Sequence, residues 1–329
     1  MRHTLLVFIF LISLQADNDY QLGKGMQAGS LPLYIGGYFS IDYQHTDEIN
    51  RYRLSDLAIL SYGNYEKLSY MAEVEFQDLY VKTYKNAHKK TTKSKKLHIE
   101  RLNLDYNIDE KYMLKVGKYH STVGFWNLLP VNVLRETTSN PISRDILFPI
   151  FTTGIDFSYL SYEDGELKID IMMQHNKDIS NRSNNYKIDR HYGIGISYEE
   201  GDYTFKINGG YFHTFDKNIV DENLYYLLLS AKYESDKYQV LSEIGSQKSK
   251  AEFTVDYAGY IQGLYRFTEQ HLGVIRVESY RSNLNKPSDD MLIVGYTYRP
   301  LYPIAIKSEY QFHSKNRQNQ FLFSMSVLF

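Results

Sequence analysis

The sequence predicts an all-β protein, a transmembrane antiparallel up-and-down β-barrel of about 16 strands. Three observations predict this fold class. Strand-length segments of alternating polarity recur from Leu31 onward, the connections between them alternate between short and long, and apolar side chains occupy every second position up to Phe329. After the N-terminus, no segment approaches the roughly 20 consecutive apolar residues that a membrane-spanning helix requires.

The N-terminus has the pattern of a secretory signal peptide. Arg2 precedes an apolar run from Leu5 to Ile12, which is too short to span a bilayer and is followed by polar residues. Cleavage is expected after Ala16. We therefore predict a signal peptide over residues 1–16, a short periplasmic N-terminal segment over residues 17–30, and the barrel over residues 31–329.

Composition excludes several kinds of functional site. The chain has 0 Cys, which rules out a disulfide framework, a thiolate metal site and a cysteine nucleophile. The 37 Lys and Arg against 39 Asp and Glu leave a formal net charge of −2, which gives no global attraction for nucleic acid. We expect no cofactor, no metal site and no nucleic-acid partner.

Alternating polarity gives each predicted strand two different faces. In the strand that begins at Tyr203, the side chains of Tyr203, Phe205 and Ile207 lie on one face, while Thr204 and Lys206 lie on the other. A water-soluble β-sandwich would place such an apolar face in its core, so this pattern alone leaves two architectures open. The same alternation occurs at 154–159, 167–171 and 304–310.

Connection lengths favour the barrel, because membrane barrels have short turns at one end and longer loops at the other. A sandwich has no reason to sort its connections in this way. The connections predicted to be short turns are 63–67, 107–111, 163–166, 199–202, 234–237, 268–271 and 299–303. The longer or more variable connections are 85–96, 120–151, 176–187, 215–222 and 281–290.

Many charged residues fall on the polar face of the predicted strands. Burying so many charges in a dry core would cost several kcal/mol each, so this face is expected to line a water-filled lumen. Acids and bases are nearly balanced on it, so the sign of any ion selectivity depends on where these charges lie relative to the constriction, which the sequence does not determine. The residues predicted to line the lumen include Glu73, Glu75, Asp105, Lys115, Asp156, Lys168, Arg276 and Lys307.

The last strand carries the most specific signal. Its apolar side chains alternate with Ser324 and Ser326, and they are Phe321, Phe323, Met325, Val327 and Phe329. This pattern resembles the insertion signal of bacterial outer-membrane barrels, which the barrel-assembly machinery recognises. The resemblance implies that the protein is located in the outer membrane, among its lipids and lipopolysaccharide.

The connection 120–151 is the longest in the chain and follows the fifth predicted strand. At this point the chain resembles the Gram-negative outer-membrane porins of sixteen strands, in which the third external loop folds toward the lumen. The segments Val116–Tyr119 and Gly124-Phe125 are similar to phosphate-selective and related porins. An external loop packed on the rim remains the alternative. The resemblance implies a pore constriction formed by Phe125, Trp126, Arg135, Glu136, Arg144 and Asp145.

The resemblance implies passive diffusion of small hydrophilic solutes or ions through a porin channel, with a homotrimer as the expected assembly. A substrate-selective porin of the anion or phosphate type is the alternative function. The lysine-rich segment from Lys82 to Lys96 would face outward, where it would meet lipopolysaccharide phosphates or a neighbouring subunit, or remain a solvated loop.

A rim-active outer-membrane enzyme is a more distant alternative. His175, His191 and His213 fall near the predicted rim, and Asp189 lies two residues from His191. A base with its orienting acid, or a three-histidine metal site, is conceivable there. Polar residues beside a wet rim are the simpler interpretation, because His175 and His213 fall on the outward phase.

Overall fold

The computed structural model describes residues 20–29, 31–85, 88–94, 96–129, 131–215, 222–250, 252–283, 288–314 and 319–329. The predicted signal peptide, residues 1–16, lies outside the described residues. Parts of the connections 215–222 and 281–290 lie outside them as well.

Alternating polarity produces strands almost throughout the described chain. They are β1 (Tyr20–Gln21), β2 (Gly25–Gln27), β3 (Leu33–His45), β4 (Ile49–Tyr65), β5 (Leu68–Lys85), β6 (His88–Lys93), β7 (Leu97–Asn107), β8 (Tyr112–His120), β9 (Phe151–Ser161), β10 (Glu166–Gln174), β11 (Ile188–Glu200), β12 (Tyr203–Thr214), β13 (Asn223–Glu234), β14 (Tyr238–Lys248), β15 (Phe253–Arg266), β16 (His271–Ser282), β17 (Asp289–Leu301), β18 (Ile304–His313) and β19 (Gln320–Leu328). Between β8 and β9 lie two 3-10 turns, Trp126–Leu128 and Asn132–Leu134, and one short helix, α1 (Ile142–Ile146).

The sheet closes on itself. Each strand from β3 to β19, apart from β6, pairs antiparallel with its neighbours, and β19 pairs with β3 in a register that sets Phe323 opposite Tyr43. Strand β7 pairs with the first part of β5, from Leu68 to Phe76, and strand β6 pairs with its last part, from Tyr80 to Lys85. Sixteen strands of the described chain therefore form the ring, which confirms the predicted fold class. Closure gives the backbone N–H and C=O groups of every wall strand a partner on both sides.

Connections are sorted by length between the two ends of the barrel. At one end, here the turn end, two to four residues join each pair of strands, as between β4 and β5 or between β11 and β12. At the other end, the loop end, the connections reach 30 residues, at 121–150. In the described residues no helix is long and apolar enough to cross a membrane.

The outer face of the wall is apolar and the inner face is polar. On β12, Phe205 and Ile207 are exposed on the outside, while Lys206 and Asn208 are buried on the inside. The same alternation on β19 exposes Phe323 and Met325 and buries Ser324 and Ser326.

Phe329 closes the seam between β19 and β3. Its backbone N–H donates to the Gly37 carbonyl at 2.7 Å, and the Gly37 N–H donates back to the Phe329 carbonyl at 2.7 Å. A Cβ at Gly37 would lie 2.3 Å from the Ala58 carbonyl oxygen and 2.7 Å from the Phe329 ring, so only glycine fits there. The short strands β1 and β2 pair with each other, and β2 extends this seam along β3.

One predicted connection is partly strand. The sequence predicts a loop over 85–96, but β5 continues to Lys85 and β6 runs back along it from His88 to Lys93. Threonines and tyrosines are interleaved with the lysines, and both residue types favour extended strands. This strand preference outweighs the repulsion between the like charges.

Candidate functional site

The described residues of 121–150, called the inner loop, lie inside the barrel against the inner face of β12 to β19, and Val131 and Val133 also pack on side chains of β3 and β4. The loop enters through a tight turn at Gly124, whose φ is +67°. The Gly124 N–H donates to the Asn208 amide oxygen at 2.9 Å, and Lys206 donates to the Gly124 carbonyl at 3.1 Å. A Cβ at this position would lie 2.5 Å from the Glu243 carboxylate, so only glycine fits.

Aromatic side chains of the inner loop pack on the wall rather than toward the open lumen. Trp126 is buried, with its ring 6.1 Å from the Tyr260 ring and 5.4 Å from the guanidinium of Arg276. The backbone N–H groups of Phe125 and Trp126 both donate to the buried carboxylate of Glu243. A charged wall residue therefore holds the loop backbone.

Arg276 and Glu278 on β16 form the central anchor. Both side chains are almost fully buried, and their ion pair measures 2.6 Å. Arg276 also donates to the hydroxyl oxygens of Thr137 at 2.9 Å and of Ser139 at 2.6 Å. Glu278 accepts from the N–H of Ile142, the first residue of α1, at 2.9 Å.

Two basic side chains and one acid on β17 and β18 hold the middle of the inner loop. Lys307 donates to the Asn132 carbonyl at 2.7 Å, and Glu309 accepts from the Thr138 N–H at 2.8 Å. Glu136 forms an ion pair with Arg299 at 3.1 Å. Glu136 therefore binds the wall and leaves its chain neighbour Arg135 to other partners.

The connection 176–187 folds inward and covers the inner loop. Asn185 donates to the Phe148 carbonyl at 2.8 Å, and the Tyr186 hydroxyl donates to the Ile146 carbonyl at 2.5 Å. Burial raises the pKa of Tyr186 to about 12, so it stays a neutral donor. At its base, Lys118 and Asp178 form a fully buried ion pair at 2.9 Å. Sequence reasoning missed this second inner segment, although its run of Asn and Ser suits side-chain bonds to backbone.

A cavity of about 420 Å³ remains between these loops and the wall formed by β3, β4, β5 and β7. Most of the carboxylates lie on the wall side and three of the four guanidinium groups lie on the loop side, whereas Arg53 belongs to wall strand β4 and Asp145 to the inner loop. The acidic residues around the cavity are Asp42, Asp56, Glu73, Glu75, Asp78, Glu100 and Asp145, and the arginines are Arg53, Arg135, Arg144 and Arg182.

Some of these charges are paired. Arg53 lies 3.2 Å from Asp42, Arg101 forms an ion pair with Glu73, and Arg144 lies 3.6 Å from its neighbour Asp145. Among the described residues, no basic side chain lies within 4.0 Å of the carboxylates of Asp56, Glu75 and Glu100. One carboxylate oxygen of Asp42, a residue only 7% exposed, has no hydrogen-bond partner in the described structure.

The arginines on the loop side are held by the loop itself. Arg135 donates to the Leu129 carbonyl at 2.8 Å and to the Asn140 amide oxygen at 2.8 Å. Burial and the nearby charge of Arg144 lower the pKa of Arg135 to about 10, and burial lowers the pKa of Arg144. Arg135 therefore still carries a positive charge at neutral pH.

All eight residues predicted to line the lumen lie on the inner face of the wall. Asp105 and Lys115 form an ion pair at 3.1 Å, and Lys168 and Asp170 form one at 3.0 Å. Glu73 and Glu75 line the cavity. Asp156 is buried on the inner face. The structure places Arg276 and Lys307 beneath the inner loop, as its anchors.

The six residues of the predicted constriction separate into two groups. Arg135, Arg144 and Asp145 line the cavity. Phe125, Trp126 and Glu136 hold the loop to the wall instead.

Sequence reasoning missed five charged cavity residues, namely Arg53, Asp56, Asp78, Glu100 and Arg182. In the pairing of β4 with β5, the register shifts between Leu54 and Asp56. In the pairing of β5 with β7, it shifts where two successive residues of β5 lie opposite Arg101 and Ile99, so that Glu100 is left over. Strict alternation cannot follow the chain through such bulges, which bring Asp56 and Glu100 to the cavity.

The histidines considered for an enzyme site do not converge. Alternation predicts that Asp189 shares a face with His191, but a register shift between Ile188 and Arg190 turns it toward His213, which it meets at 2.6 Å. His191 is buried between the hydroxyls of Thr152 and Tyr226, at 2.8 and 2.9 Å. No cluster of His, Asp or Glu suited to a metal ion occurs in the described part of the chain.

Comparison with known proteins gives a structural likeness only. No protein-family model matches this chain, and no curated protein matches it. Several solved bacterial outer-membrane channels share its architecture. The outer membrane channel DcaP of Acinetobacter baumannii is 11% identical, with 93% of this chain and 100% of DcaP aligned and a TM-score of 0.60.

Two other solved porins align equally well. OmpF of Salmonella typhi, in a complex with daunomycin, is 12% identical over 90% of this chain and 97% of its own, with a TM-score of 0.63. An anion-selective porin from Comamonas acidovorans is 10% identical over 90% of this chain and 99% of its own, with a TM-score of 0.64. At such identities the likeness establishes the fold alone, which is the closed antiparallel barrel that these solved channels share.

Proposed function

We propose that this protein is an outer-membrane porin, a water-filled channel through which small hydrophilic solutes or ions diffuse passively. The cavity between the inner loop and the acidic wall carries this proposal. Charged side chains surround it, and they require water or a passing solute to solvate them. A closed wall with an apolar outer face and a polar inner face is the arrangement of channel-forming membrane barrels.

The inner loop acts as the constriction. It fills the side of the lumen that faces β12 to β19 and also packs on part of β3 and β4, so the remaining passage runs through the cavity beside β3, β4, β5 and β7. Buried anchors such as Arg276 and Lys307 keep it from swinging out of the passage. Pore size is therefore set by the docked loop rather than by the diameter of the barrel.

The passage has carboxylates mainly on its wall side and guanidinium groups mainly on its loop side. A cation passes beside the carboxylates of Asp56, Glu75 and Glu100, and an anion passes beside Arg135 and Arg144. Neither sign is excluded, which supports a general channel with weak selectivity. The arginine side supports the alternative function, a channel selective for anionic solutes, because guanidinium groups bind carboxylate and phosphate well.

We also propose that the protein is not an enzyme. The rim histidines are engaged with neighbouring hydroxyls and carboxylates, as His213 is with Asp189 and Glu222.

The remaining proposals follow the sequence predictions: cleavage of residues 1–16 on export, insertion by the barrel-assembly machinery, and assembly as a homotrimer. Mass spectrometry of the mature protein, and electrophoresis of unheated against heated samples, test the first and the last of these.

Planar-bilayer recording tests the channel function. Folded, purified protein is expected to give discrete single-channel steps, with a reversal potential near zero in a salt gradient. Replacing chloride by larger anions and potassium by larger cations then measures selectivity and pore size separately. Folded protein that inserts but gives no conductance steps would overturn the proposal.

A further inference from the structure

Three buried polar groups without hydrogen bonds lie together beneath the start of the inner loop. Asp156 on β9 is 1% exposed, and neither of its carboxylate oxygens has a hydrogen-bond partner in the described structure. The hydroxyl of Tyr119, near the end of β8, and the hydroxyl of Thr122, in the inner loop, are likewise buried and without a partner there. Buried polar groups are nearly always satisfied, and a buried carboxylate is costly unless a positive charge compensates it. The three groups therefore require a partner.

Strand pairing brings the three groups together. Asp156 lies directly opposite Lys115 of β8 and Met172 of β10. The Thr122 N–H donates to the Met172 sulfur at 3.2 Å, which places Thr122 above Asp156. Tyr119 shares the inner face of β8 with Lys115, whose ammonium lies 5.8 Å from the centre of the Tyr119 ring. The ring therefore lies along the strand toward Asp156, and both hydroxyls are within electrostatic reach of its carboxylate.

The charged neighbours of Asp156 are paired with one another. Lys115 binds Asp105 at 3.1 Å, and Lys168 binds Asp170 at 3.0 Å. Within the described ranges, no basic side chain lies within 4.0 Å of the Asp156 carboxylate. Both lysines are therefore already committed to other acids, although Lys115 lies opposite Asp156 on the neighbouring strand.

Lys206 is the remaining cation near this position. Its side chain is buried and donates to the Gly124 carbonyl at 3.1 Å. It interacts electrostatically with the buried acid Glu243, which offsets its charge. Four acids against three lysines leave this region with one uncompensated negative charge, that of Asp156.

The structure assigns to this position a fixed alkali cation, Na⁺ or K⁺, bound by the Asp156 carboxylate and the hydroxyl oxygens of Tyr119 and Thr122. Oxygen ligands suit a hard cation, and one uncompensated carboxylate matches one positive charge. A divalent ion would lack further free carboxylates, and the described residues contain no group of three or more His, Asp or Glu side chains suited to it. A water molecule would satisfy the hydroxyls but leave the charge uncompensated.

The cation would fasten the base of the inner loop. Thr122 lies two residues before the turn at Gly124, and Trp126 follows two residues after that turn. A cation shared by Thr122 and Asp156 ties the loop to the wall at β9, so docking of the loop should depend on alkali cations. This inference goes beyond the proposed channel function and does not depend on it, because the bound ion is not one that passes through the cavity.

Fluorescence of Trp126 tests the site in the folded, detergent-solubilised protein. Potassium chloride replaces choline chloride at constant ionic strength, and acrylamide quenching is measured at each step. The methyl groups of choline keep oxygen ligands away from its charge, so quenching should fall and reach a plateau only as potassium is added. Asp156→Asn should raise the half-saturating concentration by about tenfold or more, because the site loses its charged ligand. Glu234→Gln removes a partly exposed acid at the turn end and should respond like the unmodified protein.

Crystals grown with thallium acetate in place of potassium acetate locate the ion, because Tl⁺ substitutes for K⁺ and scatters anomalously. We expect an anomalous peak in contact with Asp156 in the unmodified protein and in Glu234→Gln, and none in Asp156→Asn. If Asp156→Asn does not fold, the peak and the potassium dependence of the unmodified protein still decide the question. A water molecule alone at this position, identical quenching in choline and potassium, or an equal potassium response in Asp156→Asn would overturn the site. These results are independent of conductance, which tests the channel function.

Discussion

Replacing Arg276 by Met should release the inner loop from the wall without disturbing the barrel. The substitution keeps an apolar stem but deletes a buried guanidinium that pairs with Glu278 and donates to Thr137 and Ser139. Removing one partner of a buried ion pair costs about 3–5 kcal/mol, because the other charge is left behind. The wall strands keep their backbone pairing, so this loss falls on docking of the loop.

A loss of that size shifts the ratio of docked to undocked loop by roughly two to four powers of ten. The chain has 1 Trp, and Trp126 lies in the inner loop with its ring against Arg276. Its fluorescence reports docking directly. We expect red-shifted emission and stronger acrylamide quenching in the variant, together with larger and noisier single-channel currents.

Arg266→Met is the matched control. Arg266 lies at the turn end of β15, where its ion pair with Glu234, at 3.2 Å, is partly exposed and worth at most about 1 kcal/mol. This variant should resemble the unmodified protein in both assays. If Arg276→Met leaves both Trp126 quenching and conductance unchanged, the buried anchor does not hold the loop and the reasoning is refuted.

Three further predictions concern selectivity, assembly and topology. Arg135→Ala and Arg144→Ala should each shift the reversal potential in a salt gradient toward cations, since the carboxylates of Asp56 and Glu100 then dominate the passage; an unchanged potential and conductance would remove both arginines from it. Loss of Phe329 should reduce the heat-modifiable, folded protein in outer-membrane fractions, because its backbone bonds to Gly37 close the seam; normal amounts would contradict this. In intact cells, a membrane-impermeant thiol reagent should label Lys90→Cys and not Asp164→Cys, and the reverse pattern would invert the barrel.

Sequence periodicity predicts the two faces of the wall well, because successive residues of a regular strand face the lipid and the lumen in turn. It places Glu73, Glu75 and Lys115 on the inner face as the structure does. It fails where the strands bulge, so that Asp56 and Glu100 are missed and Asp189 is assigned to the wrong histidine.

Loop contacts are less accessible to sequence reasoning. Family resemblance places the long loop toward the lumen, but nothing local distinguishes Glu136, which binds the wall, from Asp145, which lines the cavity. The inward fold of 176–187 depends on contacts such as Asn185 to Phe148, which join residues distant in sequence. The closed barrel brings such partners together, so the sequence next to either partner does not predict the contact.

The most direct test of the account is chemical block of the passage. Since the chain has 0 Cys, Asp56→Cys introduces one unique thiol beside the cavity. A bulky methanethiosulfonate reagent added during planar-bilayer recording should lower the current in discrete steps, and reduction with dithiothreitol should restore it. Complete modification of the introduced thiol, measured by mass spectrometry, with conductance unchanged would show that the passage does not run between the inner loop and the acidic wall.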